Sequence, residues 1–186
     1  FGESREALTT LSDKIRQAYG NADQLKNIEK ALLGVLQSDA KYAGKQYVCR
    51  ELSIIGTEQS VPVLAKMLTD GKLSDMARYA LERIPGETAD KALLAALSKA
   101  EGKAQIGIVN SLGERGYRAA ADEIGKLATA SDPMLAGAAI SALGKIGGAD
   151  AAAVLSKVKD SAPDNLKMVA YDACLKCADQ MVAEGD

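Results

Sequence analysis

A pattern of apolar residues recurs about every 30 residues along this chain of 186 residues, and this period limits the possible folds more than any other feature. Four leucines, which we call the anchor leucines, mark the repeats at spacings of 29, 31 and 31 residues. A large aliphatic residue lies twelve positions after each anchor, and another apolar residue lies four positions before it. In chain order these positions are Val48, Leu52 and Leu64; Ala77, Leu81 and Leu93; Ile108, Leu112 and Ile124; and Ala139, Leu143 and Leu155.

Each repeat predicts two helices joined by a tight turn. The anchor and the residue four positions before it lie one helical turn apart, so they share one face of a first helix. Glycine ends a helix readily and proline cannot continue one, and such residues follow every anchor. They are Gly56, Pro85-Gly86, Gly116 and Gly147-Gly148. The aliphatic residue twelve positions on then lies in a second helix, and neighbouring pairs must stack to bury both apolar faces.

We therefore predict an all-α fold, a right-handed α-α superhelix of about five helix pairs plus a terminal helix, in a single domain covering 1–186. Aromatic residues make up only 4% of the chain, which also favours helices over strands. Leu32 and Leu36 take the places of Leu64 and Leu68 in a degenerate N-terminal pair at 4–38, ahead of clear repeats at 41–160. The predicted helices are 4–19, 21–38, 41–55, 58–70, 73–84, 87–100, 102–115, 117–130, 133–146, 149–160 and a C-terminal helix at 164–183.

Three phrases carry a resemblance to a known family. They are Ala-Ile-Ser-Ala-Leu-Gly-Lys-Ile-Gly at 139–147, Ala-Leu-Glu-Arg-Ile-Pro-Gly at 80–86 and Asn-Ser-Leu-Gly-Glu-Arg-Gly at 110–116. They resemble HEAT repeats of the phycobilisome-lyase type over residues 41–160, which implies an armadillo-like solenoid. The family pattern often has an arginine early in each first helix, as Arg78 fits, but 135–139 has none. A ligand role of such arginines would therefore be incomplete here.

Three further phrases, at 49–64, 73–85 and 172–178, together resemble uncharacterised HEAT-repeat proteins that bacteria export. This resemblance implies a periplasmic or extracellular scaffold. No run of about 18 consecutive apolar residues occurs, so we expect no membrane-spanning helix in this chain.

The residue types argue against catalysis. The chain contains no histidine, which excludes Ser-His-Asp and Cys-His catalysis and removes the commonest metal ligand. The glycines at 144–148 lack the preceding strand and the spacing of a phosphate-binding loop. Asp122 and Glu123 lie close to Lys126 at helical spacing, which favours surface ion pairs over acid-base chemistry. We predict a non-catalytic protein with no cofactor and no catalytic or metal-binding residues.

Cys174 and Cys177 form a CxxC motif in the middle of a predicted helix. Tyr171, Cys174, Ala178 and Met181 follow a helical spacing, so we predict that Cys174 and Tyr171 belong to the core. A disulfide or redox pair, and more remotely a metal site, are the alternatives. Among the other tyrosines, Tyr79 lies close to a buried register and is also predicted to be core.

The favoured function is a protein-protein interaction scaffold or spacer, with an unknown protein partner. Solenoids usually bind on the concave side, which second helices line. Charges there have both signs and the net charge is −2, whereas duplex-binding surfaces carry a basic excess, so nucleic acid is the weaker alternative. We expect a monomer. The outward positions expected to contact a partner are Lys66, Asp90, Lys91, Asp122, Lys126 and Lys157.

Overall fold

The structure, a computed structural model, describes residues 6–185. Eleven α-helices occupy these residues and pack as successive pairs, so the predicted all-helical architecture is confirmed. The first two residues of the predicted helix 4–19 lie outside the described part. The helices are α1 Glu6–Gln17, α2 Ala22–Gln37, α3 Tyr42–Ile55, α4 Val61–Ala65, α5 Ser74–Arg83, α6 Glu87–Leu97, α7 Gly102–Glu114, α8 Ala121–Leu127, α9 Pro133–Ile146, α10 Gly148–Ser161 and α11 Asp164–Glu184.

Two second helices are shorter than predicted. The segments 58–70 and 117–130 each begin with a single 3-10 turn, and the α-helices that follow are only α4 and α8. Before α4, the Thr57 side chain caps this turn by accepting a hydrogen bond from the backbone N–H of Gln59, at 3.2 Å. Pro62 then lies in the first turn of α4, where its missing N–H leaves no hydrogen bond unmade.

The apolar positions that repeat along the sequence form the core of the structure. All four anchor leucines are completely buried, and the residues four positions before and twelve positions after them are buried as well. Leu32 and Leu36 are also buried, so the degenerate first pair joins the same core. Each apolar set faces the neighbouring helix pair, which is why no pair could bury its apolar face alone.

The later first helices approach one another closely through glycine. A Cβ atom on Gly113 of α7 would lie 2.9 Å from the Cα of Ala142 in α9. A Cβ atom on Gly144 of α9 would lie 2.8 Å from the Cα of Ala173 in α11. These separations are below van der Waals contact, so the spacing between consecutive repeats depends on the absence of a side chain at both positions.

The prediction that Tyr171 and Cys174 lie on the core face of α11 is wrong, because the face that is buried lies part of a turn further round the helix. Its buried residues are Leu166, Ala170, Ala173 and Cys177, whereas Cys174 is half-buried and Tyr171 is exposed. The reason is the contact with α9, because the close approach at Gly144 requires small residues on the facing side of α11.

The prediction that Tyr79 is buried is also wrong. Its ring is exposed on α5, and the Arg83 guanidinium lies over it, 3.9 Å from the ring centroid. The two residues are one helical turn apart, so this cation-π contact forms along the surface of α5 rather than in the core.

Candidate protein-interaction surface

The candidate contact residues lie on the second helices of the repeats, in or at the ends of α4, α6, α8 and α10. Lys66, Lys91, Asp122, Lys126 and Lys157 are exposed, as expected of outward positions. We call the exposed residues of these helices and their C-terminal turns the second-helix surface. None of the large apolar side chains that are exposed in residues 6–185 lies on it.

The repeat period aligns the polar residues of this surface in rows. Lys66, Lys126 and Lys157 each lie fourteen positions after an anchor leucine, and Ala95 takes this place in the remaining repeat. The residues three positions further on are exposed and polar in every repeat. They are Thr69, Ser98, Thr129 and Asp160. Equivalent positions in stacked pairs lie side by side, so the surface presents one row of lysines and one row of short polar side chains.

Asp90 does not point outward, and this part of the prediction is wrong. Its side chain is 13% exposed and forms an ion pair with Arg115, which is 11% exposed. Arg115 comes from the next helix pair, at the end of α7, and pulls the carboxylate into the junction between the repeats. Asp90 therefore holds two repeats together and is not available to a partner.

Two of the lysines are paired and two are not. The Lys91 Nζ lies 3.0 Å from a carboxylate oxygen of Glu87, and the Lys126 Nζ lies 2.6 Å from one of Glu123. The hydrogen bond from Lys91 lowers the pKa of Glu87 and raises that of Lys91. Within residues 6–185, no carboxylate oxygen lies within 4.0 Å of the Lys66 or Lys157 ammonium. These two charges remain available for an anionic group on a partner.

A shallow cleft of about 400 Å³ opens between α6 and α8. Leu94, Leu97 and Leu127 form its apolar lining. The polar lining residues are Ser98, Glu123, Lys126 and Gln105, and the last of these comes from α7. The repeat analysis missed this cleft because it followed only the positions four before and twelve after each anchor, whereas Leu94 and Leu127 lie thirteen and fifteen positions after theirs. The cleft joins an apolar surface to the lysine row through Lys126.

The three thiols are free, and their surroundings differ. Burial raises the pKa of Cys49 to about 11 and also raises the pKa of Cys177. The Cys177 thiol donates to the backbone carbonyl of Gly148 at 3.8 Å. Cys174 is only half-buried. No three Cys, Asp or Glu side chains in residues 6–185 are grouped as metal ligands would be.

We expect Cys174 alone to react with a thiol reagent such as Ellman's reagent in the native protein at pH 8. The thiolate is the reactive species, and a pKa of about 11 leaves roughly one Cys49 in a thousand ionised at that pH. Titration should give one fast thiol in the native state and three in denaturant. The variant Cys174→Ser should lose the fast phase. Equal labelling rates for Cys49 and Cys174 would show that the core around α3 opens readily.

In the part of the chain that the structure describes, no helix combines the length and the apolar character needed to cross a bilayer.

Comparison with known proteins finds a similarity over part of the chain. The search of curated proteins finds no match to this chain. The family model described as HEAT repeats matches residues 90–174, from the start of α6 into α11. HEAT repeats generally mediate protein-protein interactions and are typically non-catalytic. The matched stretch contains the lysines of α8 and α10, the cleft and both close helix contacts at glycine. Residues 90–174 of this chain are therefore similar to HEAT repeats.

Proposed function

We propose that this chain is a protein-interaction scaffold and that its partner binds the second-helix surface. The observation that carries the proposal is the lysine row, in which Lys66, Lys126 and Lys157 occupy the same position of three different repeats. Folding does not require this repetition, because the three side chains are exposed and outside the core. A partner lying along the stack would meet one ammonium group at each of these repeats.

The partner that suits this surface is a protein segment with acidic side chains and at least one apolar side chain. Stacked helices lie about 10 Å apart, so Lys126 and Lys157 suit carboxylates separated by a similar distance. The cleft lined by Leu94 and Leu127 suits the apolar side chain, which would be the buried anchor of the contact. Asp122 and Asp160 on the same surface disfavour a uniformly anionic polymer such as a nucleic acid.

Reversing three charges should abolish capture of the partner. We expect the variant Lys66→Glu, Lys126→Glu, Lys157→Glu to retain at least tenfold less partner than the unmodified protein, since each reversal turns an attraction into a repulsion. The assay is a pull-down from envelope and soluble extracts with quantification of specifically retained proteins. All three side chains are exposed, so the fold should be unaffected, which circular dichroism can verify.

The matched control reverses three exposed positive charges on first helices, Lys14→Glu, Arg50→Glu and Lys103→Glu. This control should retain the partner as well as the unmodified protein does. Equal capture by all three proteins, or equal loss in both variants, would refute the second-helix surface as the contact. Anisotropy of a labelled DNA duplex at low salt provides a separate arm. Strong binding that weakens steeply with salt would replace the protein partner by nucleic acid.

A further inference from the structure

Three sulfur-containing side chains line one cavity between α10 and α11. The cavity has a volume of about 220 Å³, and Cys174, Cys177 and Met181 of α11 form part of its wall. Leu155 and Lys159 of α10 also line it. The whole chain has only three cysteines and five methionines, so this wall is a local concentration of sulfur.

The spacing of the three residues places them on one side of α11. They lie at positions i, i+3 and i+7, so their side chains fall within a sector of about 60° around the helix axis. Side chains of a helix lean toward its N-terminus, and the long Met181 side chain therefore extends back toward Cys177. The Cβ atoms of Cys174 and Cys177, three residues apart, are separated by about 5–6 Å, and both thiols can turn toward one point between them.

The three side chains are buried to different degrees. Cys177 is only 2% exposed, whereas Cys174 and Met181 are half-buried. Burial raises the pKa of Cys177 and the charge of Cys174 raises it further, as expected of two thiols close enough to interact. The cavity therefore has one sulfur atom in the protein interior and two nearer to solvent, from where an ion can enter.

Lys159 adds a positive charge to the wall of the same cavity. Its side chain is half-buried, and within residues 6–185 no carboxylate oxygen lies within 4.0 Å of its ammonium group. A monovalent metal ion held by two thiolates has a net charge of −1. An ammonium group without a carboxylate partner suits such an anionic complex, because it can offset this charge in a partly buried place.

Two thiols and a thioether are the ligand types that bind Cu(I) well, because soft sulfur ligands select this ion. Zn²⁺ binds four ligands from cysteine, histidine and carboxylates. The chain has no histidine, and no described residue of the cavity wall carries a carboxylate. An iron–sulfur cluster usually needs four cysteines, whereas this chain has three and Cys49 lies on α3. The ligand set therefore favours Cu(I) over both.

We propose that Cys174, Cys177 and Met181 bind one Cu(I) ion in the cavity between α10 and α11. Three sulfur atoms at about 2.3 Å from a metal lie about 4 Å from one another, a separation that side chains on one helix face can reach. On binding, each thiol releases its proton to solvent and each thiolate donates an electron pair, while copper remains Cu(I). This site goes beyond the proposed interaction function and does not depend on it. It replaces the expectation from the sequence that the chain has no metal-binding residue.

Transfer of Cu(I) from a coloured chelator tests the proposal. The reduced protein is titrated without oxygen into the Cu(I) complex of bicinchoninate, and the loss of its absorbance counts the ions that the protein removes. We expect one ion per chain. Bound copper should also slow alkylation of Cys174 by iodoacetamide at least tenfold, measured by mass spectrometry, because the thiolate electron pair is then held by the metal.

Three variants separate the ligands from their surroundings. Cys174→Ser should weaken Cu(I) binding at least a hundredfold, because a hydroxyl is not a soft ligand. Met181→Leu should weaken it at least fivefold, and the fold should be retained because leucine and methionine have similar volumes. The matched control is Met168→Leu, the same substitution at an exposed methionine of the same helix, which should leave the affinity unchanged. Circular dichroism should show the same helix content in all of them.

Four results would overturn the proposal. One is that the unmodified protein removes no Cu(I) from the chelator, and another is that Cys174→Ser keeps the original affinity. The third is that Met181→Leu and Met168→Leu bind Cu(I) equally well, which would exclude the thioether as a ligand. The last is that the unmodified protein, offered one equivalent each of Zn²⁺ and Cu(I), retains Zn²⁺.

Discussion

Replacing Arg115 with methionine should lower the free energy of unfolding by about 3–5 kcal/mol. Methionine keeps the length of the apolar stem but removes the charge and all the donors. Asp90, only 13% exposed, would then be a nearly buried carboxylate without its cation. The guanidinium also donates to the backbone carbonyl oxygens of Leu81, Glu82 and Ile84 at 3.1, 2.9 and 2.8 Å. These acceptors lie at the C-terminal end of α5, where helical carbonyls have no partner within the helix.

Chemical denaturation of Arg115→Met checks this expectation, with Arg118→Met as the matched control. Arg118 forms an ion pair with Glu184, but both side chains are about half exposed, at 53% and 48%. Exposed pairs contribute at most about 1 kcal/mol, so the control should remain close to the unmodified protein. The double variant with Asp90→Asn should cost little more than Arg115→Met alone, because the carboxylate left unpaired is then absent. If Arg115→Met and Arg118→Met both lowered the free energy of unfolding by a similarly small amount, Arg115 could not be what joins the repeats.

The repeat pattern predicted the core correctly because a solenoid makes its contacts between neighbours in sequence. Leu112, for example, is buried by its own helix pair and by the adjoining ones, so a local period is enough to identify it. The same register aligned Lys126 with Lys157 on the second helices, although neither residue is conspicuous alone.

The sequence could not orient α11, because this helix carries apolar residues on two sides. One side contains Ala170, Ala173 and Cys177, and the other contains Tyr171 and Leu175. Hydrophobicity alone favours the larger residues as core. The choice depends on a distance, since the backbone of Gly144 leaves room only for small side chains on α11. Such a close approach has no signal in the sequence of α11 itself.

The burial of Asp90, which removes this residue from the candidate surface, could not be predicted from the sequence for a similar reason. Its position early in α6, beside the exposed Lys91, is typical of a solvated residue. Its burial depends on Arg115, which lies 25 residues further along the chain. Long side chains from the neighbouring repeat determine which polar residues become buried between repeats. An alignment of the repeats by their apolar positions does not show these contacts.

Replacing Gly144 with valine should destabilise the stack by about 3 kcal/mol or more, the upper part of the range for overpacked cores. The Cβ would lie 2.8 Å from the Cα of Ala173 and 2.9 Å from its carbonyl oxygen. Because these are backbone atoms, no side-chain rotation can relieve the clash, and α11 would have to move away from α9. Hydrogen exchange should show the loss first in the amides of α11, since repeat proteins open locally at junctions.

The control substitution is Gly34→Ala in α2, where a Cβ would meet no atom within 4 Å. Alanine loses less conformational entropy than glycine when a helix forms, so this variant should gain about 0.5–1 kcal/mol of stability. The two glycine substitutions should therefore shift the midpoint of denaturation in opposite directions. If Gly144→Val left both the midpoint and the α11 exchange rates unchanged, the close packing of α9 on α11 could not be what holds the last helix in place. The orientation of α11, and with it the outward direction of Leu175, would then lack its physical cause.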